Sequence, residues 1–370
     1  PFVDVIKQKR WWILTMQFMV GLSLAGVAYT IDAPDFVQAT LACFWLMAFS
    51  SATHDIAADG FYMLGLSTHE QSLFVGIRST FYRVATIGAQ GGLLALADAL
   101  QRVGGYSLQE AWRWTFLLTA VVFFVLFGWH ALVLPKVEDV PADASAVKRY
   151  PSSLIWVMLK TFGTFFMKPQ AFVAIAFMLL YRFPEALLVK VAPLFLLDPV
   201  EQGGLGLTKM DLALAQGTIG VVGLTLGGIV GGVAIAKLGF KRCLWWMVGA
   251  ITLPHALYVG LACAQVTNLW FIATAVGVEQ FGYGFGFTAY MMYMIYFSEG
   301  ASKTTHYALC TAFMALSMLL PGMVAGWLQE QLGYLWFFIL VLALTPLTCF
   351  AAALIKVDAH FGKKNNTEQA

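Results

Sequence analysis

Charge is what this sequence has little of. Only 11% of its 370 residues are Asp, Glu, Lys or Arg, while 60% are hydrophobic; an ordinary soluble domain is roughly one quarter charged. A water-soluble fold has no means of hiding that much apolar surface. The chain also lacks a Walker-type glycine loop, a His/Cys metal constellation, a Ser-His-Asp set and a basic nucleic-acid patch. These absences argue against an ATP-driven pump, an enzyme site of the soluble kind and nucleic-acid binding. The five cysteines, Cys43, Cys243, Cys263, Cys310 and Cys349, sit in or beside apolar runs without CxxC spacing. They read as small buried hydrophobes rather than disulfide or metal ligands.

What is present is a series of apolar runs of about 20 residues, the length that carries a helix through about 30 Å of hydrocarbon at about 1.5 Å per residue. They fall at 11–30, 37–62, 74–97, 112–134, 171–197, 212–236, 244–264, 269–297, 307–327 and 334–355. Lipid offers no partner to an open backbone group, so each run must be a helix; the alternating short strands of a barrel are absent. The expectation is an all-α polytopic membrane protein with ten transmembrane helices, its first partner the lipid bilayer.

Sorting the loop Lys and Arg by these runs leaves only Arg102 and Lys209 on one face. The rest, from Lys7, Lys9 and Arg10 to Lys363 and Lys364, lie on the other, which the positive-inside rule makes cytoplasmic together with the C-terminus. Trp11, Trp12, Trp245 and Trp246 mark the inner interface and Trp112, Trp114, Trp270, Trp327 and Trp336 the outer one.

The longest loop opens with the polar stretch from Pro135. Within it, Ser152 or Ser153 caps a helix whose Ile155, Met158, Leu159, Phe162 and Phe166 share a face opposite Lys160, the pattern of a helix lying on the membrane surface. This divides the chain into a helical bundle at 1–134, a linker with its amphipathic helix at 135–169, a six-helix bundle at 170–356 and a tail at 357–370.

The halves also echo each other. Lys9-Arg10-Trp11-Trp12 returns around Lys241-Arg242 and Trp245-Trp246, and the stretch from Glu110 to Phe116 resembles that from Leu332 to Phe338, both offset by about 220 to 230 residues. If the halves are equivalent, the first bundle shows four helices of six, and two more belong upstream of Pro1.

Ionised groups inside a membrane segment cost at least about 2.5 to 3.5 kcal/mol near its centre, so each needs a partner, a cavity or a task. The acids there are Asp55 and Asp59 on the second run, Glu185 on the fifth and Glu279 on the eighth; the bases include Arg78, Arg83, Arg182 and Lys190. Counting rise from each run's middle puts Asp55 about 9 Å and Arg83 about 4 Å toward the cytoplasm, with Asp59 and Arg78 at about 12 to 15 Å. The pairs Asp55–Arg83 and Asp59–Arg78 are therefore geometrically possible, either as a structural lock near the inner face or as a gate that opens and closes. Tyr181-Arg182-Phe183-Pro184-Glu185 places a helix-breaking proline beside two opposite charges at mid-depth. Glu279, Gln280 and Tyr283 lie at nearly the same depth, followed by Gly282, Gly284 and Gly286, which suit close helix packing. His54, beside Asp55, is either a packing residue or a proton relay.

Ser51-Ala52-Thr53-His54-Asp55-Ile56-Ala57-Ala58-Asp59-Gly60 resembles the fourth-helix signature of AmpG-type permeases, the anhydromuropeptide importers of the major facilitator superfamily. The stretch from Tyr181 to Ala186 resembles their seventh helix, and that from Val278 to Gly333 their tenth to twelfth. Asp4, Lys7, Lys9 and Arg10 form a spacing-shifted version of the superfamily's acidic-basic loop signature. Gly231, Lys237, Gly239, Lys241 and Arg242 form its second copy, with Ala236 where an acid is usual.

The resemblance implies a two-bundle transporter in the bacterial inner membrane, monomeric, without cofactor and driven by the proton gradient, importing muropeptide-like conjugates by alternating access. It implies that Arg182, with Arg83 or Lys190, holds substrate carboxylates, because a guanidinium matches them bidentately. Tyr181, Gln280, Tyr283, Glu185 and Glu279 would complete that subsite, Glu185 and Glu279 would also exchange protons, and Asp55, Asp59 and Arg78 would gate. The alternatives are a transporter of the same fold for a sugar, an acyl-CoA-like molecule or a siderophore, and a membrane scaffold or sensor that does not transport.

Overall fold

A computed structural model describes residues 2–136 and 153–364. The polar loop sequence before the amphipathic helix, with the cap expected from Ser152, lies outside the described residues. Among the described residues there are helices and turns and no strand, as a chain that must satisfy its own backbone in lipid requires.

The helices are α1 (Lys9–Thr30), α2 (Phe36–Gly65), α3 (Thr68–Ile87), α4 (Leu93–Arg102), α5 (Leu108–Val133), α6 (Ser153–Phe166), α7 (Ala171–Leu180), α8 (Phe183–Leu197), α9 (Val221–Leu238), α10 (Phe240–Thr252), α11 (His255–Ala264), α12 (Leu269–Ser298), α13 (Lys303–Ala343) and α14 (Thr345–Leu354). Wider π-helical turns at Gly88–Gly92 and Ala213–Gly220 lead into α4 and α9. Seven helical stretches among the described residues are long and apolar enough to cross a membrane. One of them, Lys303–Leu354, is 52 residues long and carries two of the expected runs; Gly333 kinks it with φ 71°. Two expected runs fall short in apolarity although both are helical. α3 carries Glu70, Gln71, Arg78 and Arg83, and α12 carries Glu279, Gln280 and many glycines and tyrosines. Cys243 and Cys310 are buried as expected, whereas Cys263 is exposed.

The described chain gathers into two compact units whose membership departs from a simple cut after residue 134. The first holds Pro1–Gly65, Tyr82–Gly163 and Gly300–Thr305, and the second holds Leu66–Phe81, Thr164–Glu299 and His306–Ala370.

In the first unit α1 packs along α2 and α5. Val20, Leu24 and Ala120 form its buried centre, and Gly21 lets the Phe124 ring lie against the α1 backbone, 2.9 Å from where a Cβ would sit. Arg10 donates to the carbonyls of Leu134 (3.0 Å) and Ala131 (2.5 Å), closing the C-terminal end of α5.

The second unit is built around α12, which packs on α9, α10 and the π turns before α9. Glycines set the spacing: a Cβ on Gly284 would collide with the Leu224 carbonyl, and one on Gly227 with that of Phe281. Small residues let helices approach closely in lipid, where hydrophobic association is weak. The same device explains why the start of α3 belongs here. Gly76 meets the Gly228 backbone, Gly232 meets the Ser72 carbonyl, and the Ser72 hydroxyl donates to the Gly362 carbonyl at 3.2 Å. Phe195, Tyr258, Phe337 and Phe338 fill the core toward the other end.

α6 forms where helical spacing placed it. Ile155, Trp156, Leu159 and Phe162 are exposed, as is Lys160, while Phe165 is fully buried. Met158 is half-buried and Phe166 is exposed.

Candidate functional site

Two helices of the second unit break at mid-depth, and both breaks carry proline. α7 ends at Leu180 and α8 begins at Phe183, with Arg182 between them at φ −106°, ψ 8°. Proline has no N–H to continue the ladder, so Pro184 in the first turn of α8 starts a new helix. α10 likewise ends at Thr252, and Pro254 precedes His255, the first residue of α11. Opposite both breaks runs α12, unbroken, with Glu279 and Gln280 on one turn and Tyr283 on the next.

The Arg182 side chain is 4% exposed. Its guanidinium carbon lies 4.5 Å from the ring centre of Phe287 and 5.4 Å from those of Tyr283 and Tyr290, an aromatic enclosure of the kind that holds cations. One terminal nitrogen donates to the Tyr283 hydroxyl. Its Nε is buried without a partner, and among the described residues no carboxylate pairs with it. The enclosure is rigid: the Tyr181 hydroxyl donates to the Gly286 carbonyl (3.0 Å) and the Tyr290 hydroxyl to that of Met178 (2.7 Å), bolting α7 to α12.

Glu185, expected beside Arg182, turns elsewhere. It is 2% exposed and its Oε2 lies 3.0 Å from His255 Nε2. The break accounts for this, because Arg182 stands outside α8 and so off the face that carries Glu185. Glu279, 3% exposed, accepts from Gln280 Nε2 at 2.9 Å and interacts electrostatically with Glu185. Tyr258, one turn after His255, interacts with both carboxylates. A neutral imidazole carries no charge to mark it in an apolar run, so composition does not single out His255. The signal that finds it is the Pro254-His255 dipeptide, one residue from the middle of its run, at the depth of Pro184-Glu185.

The structure thus brings together Tyr181, Arg182, Glu185, Glu279, Gln280 and Tyr283. Lys190 is exposed, two turns along α8 from Arg182. Arg78, in the second unit, is half-buried. In the first unit Asp59 is buried, Asp55 is exposed and Arg83 is half-buried. The Asp55–Arg83 ion pair is not formed among the described residues. Side-chain direction around a helix decides such a pair, and depth alone does not report it. His54 is half-buried with its Nε2 unpartnered.

The acidic-basic loop signature forms a second polar centre, in the first unit. Asp4 and Lys9 are both buried and 3.0 Å apart. The other Asp4 oxygen accepts from the Thr305 N–H (2.8 Å) and hydroxyl (2.5 Å), capping the first turn of α13, where orphan N–H groups and the helix dipole favour an anion. Burial pushes the Asp4 carboxyl up, but the Lys9 ammonium and the Thr305 donors outweigh it and hold the group below its ordinary value. Lys303 donates to the Met63 carbonyl at 2.8 Å, and Gly60 leaves room for Thr304.

No family model matches the chain. The fold is that of the major facilitator transporters. The fucose:proton symporter of Escherichia coli matches with a TM-score of 0.67 at 14% identity, over 94% of this chain and 84% of that one. A bacterial homologue of the iron transporter ferroportin matches with a TM-score of 0.58 at 14% identity, over 95% of this chain and 84% of that one. Fold and relatives together define a secondary transporter, a multi-pass protein of a bacterial inner membrane.

More particularly, the named relatives are AmpG-type permeases. The anhydromuropeptide permease of Escherichia coli K12 is 24% identical over 91% of this chain, which spans 64% of that protein. A Rickettsia conorii protein named putative transporter AmpG 4 is 25% identical over 94% of this chain and 80% of its own length. An uncharacterised Haemophilus influenzae protein is 26% identical over 94% of this chain and 79% of its own length. The Escherichia coli relative is named a permease and the Rickettsia conorii one a putative transporter.

Proposed function

We propose that the protein imports muropeptide-like sugar–peptide conjugates by proton-coupled alternating access, through ten transmembrane passes, with its C-terminus in the cytoplasm and as a monomer. The observation that carries this reading is Arg182: a buried guanidinium in an aromatic enclosure, with an unpartnered Nε, while the nearby Glu185 is occupied by His255. No carboxylate among the described residues bonds this guanidinium directly, so its open Nε donor is left for a carboxylate-bearing substrate in bidentate geometry. Tyr283 and Tyr181 position the guanidinium, Gln280 offers an amide to a sugar or peptide, and Lys190 and Arg83 are further cations for the substrate's acidic groups. Glu185 and Glu279 carry the coupling proton; Asp55, Asp59 and Arg78 gate. No cofactor is required beyond the proton gradient.

The name of the Escherichia coli relative supports this substrate class, and the unpaired Arg182 favours an anionic solute over a neutral sugar. Full-length protein in proteoliposomes is expected to accumulate an anhydromuropeptide under an inward proton gradient and to lose uptake when a protonophore collapses it. Arg182→Lys keeps the charge but loses the planar fork and is expected to lower uptake about tenfold; Arg182→Gln removes a charge-assisted contact of about 1.5 to 3 kcal/mol, roughly 10- to 100-fold. Gradient-independent uptake, or Arg182→Gln at wild-type rate, would sink the assignment.

A further inference from the structure

The buried patch around Arg182 has an imbalance of charge that the transport reading leaves unexplained. With its imidazole neutral, the patch holds one cation, Arg182, against two carboxylates, Glu185 and Glu279, all nine-tenths or more buried. Leaving one carboxylate uncompensated in a site of this kind costs several kcal/mol, so one proton belongs to the patch. The groups able to hold it are Glu185, Glu279 and His255. Three polar atoms of the same patch have no partner among the described residues: Arg182 Nε, Glu279 Oε1 and His255 Nδ1.

His255 Nδ1 is the informative one. Where a histidine serves only to orient a carboxylate, its second ring nitrogen is held by a carbonyl, a carboxylate or water, which fixes the tautomer. Here Nε2 faces Glu185 and Nδ1 faces nothing that holds it, so the ring is free to change protonation without breaking a second bond. The ionisable groups that interact with Glu185 of the pair are Glu279 on α12 and Tyr258 on α11; Arg182 meets the same helix α12 one turn on, at Tyr283.

We infer that His255 is a proton-coupling residue: Glu185, His255 and Glu279 form one shared proton site that takes up a proton when an anionic substrate docks on Arg182. The inference rests on the reading of Arg182 as the carboxylate-binding group. Docking neutralises the one fixed cation, leaving the patch one charge more negative, and a proton binding to His255 restores the balance. No bond other than N–H or O–H forms, and the proton comes from the outward-facing solvent and leaves to the cytoplasm. Substrate and proton then raise each other's affinity by the same factor, as linkage requires, so substrate binds more tightly as pH falls through the titration of the patch.

Two measurements on the full-length protein test this. Calorimetry of anhydromuropeptide binding in two buffers of different ionisation enthalpy is expected to show uptake of about one proton per substrate, lost in His255→Gln, whose dissociation constant becomes independent of pH. Infrared pH titration without substrate is expected to show a carboxyl band that disappears in Glu279→Gln and titrates at a different pH in His255→Gln. A purely structural His255 would lower the melting temperature and leave the carboxyl titration in place, and that result overturns the inference, as does wild-type proton uptake by His255→Gln. Should His255→Gln fail to fold, Glu279→Gln decides by proton uptake alone. If wild-type protein binds no anhydromuropeptide, the substrate reading fails, while the infrared titration still decides the proton site.

Discussion

Asp4 and Arg182 are both buried ions, and they differ in what surrounds them. Asp4 has its cation and two donors from the first turn of α13. Removing one member of such a buried pair strands the other, so Asp4→Asn is expected to destabilise the protein by about 3 kcal/mol at neutral pH, read as a lower melting temperature in detergent. The sign of the pH effect follows from the depressed titration of Asp4. The stabilisation is fully present above the ordinary value of 3.8 and is lost as pH falls through the lower folded value. Melting temperatures of wild type and Asp4→Asn should therefore converge only in strong acid; convergence already near pH 6 would mean that Asp4 is not the group responsible. Arg182, with no anion of its own, is arranged to receive one.

At the scale of helices, much was legible from the chain. Pro184 announced the break between α7 and α8, the apolar spacing from Ile155 to Phe166 announced α6, and the glycines of α12 announced close packing. Three features were not legible, each for a physical reason. His255 carries no hydropathy penalty while neutral, so it was passed over beside Pro254. Pro184 marks a break but not how far it turns Arg182 away from the face of α8 that carries Glu185. Asp55 and Arg83 were matched by depth, but an ion pair also needs the two side chains turned toward each other. The glycines give a direct test. Gly284→Leu drives a side chain into the Leu224 carbonyl and should cost at least about 1 to 3 kcal/mol, with a matching fall in folded yield. Gly217→Ala, which meets nothing within 4 Å, should leave yield unchanged, and equal losses for the two would refute the packing argument.

On the scale of the whole molecule, the internal repeat marks equivalent helix starts. Lys9-Arg10 opens α1, and Lys241-Arg242 lies in the first turn of α10. Their polar surroundings differ. The first loop is locked by the Asp4 carboxylate. The second, with Ala236 at the position of the acid, is closed by the C-terminal segment: the Phe240 N–H donates to the Phe361 carbonyl (3.0 Å), and the Phe361 ring sits against Phe240 and Tyr296. Gly362 lies against Ile235 and Ser72. Truncation after Ile355 is therefore expected to expose the start of α10 to protease in the intact membrane while leaving α1 protected. Unchanged cleavage would show that the tail only rests there.

The bond from Ser72 to Gly362 spans 290 residues. A ribosome delivering this chain releases α3 long before the carbonyl that completes its packing exists. The second unit must wait, with Ser72 and the Phe240 amide open, until Phe361 and Gly362 emerge, and contacts so distant in sequence are the slow ones to form. Phe361 and Gly362 thus set when the second unit can close.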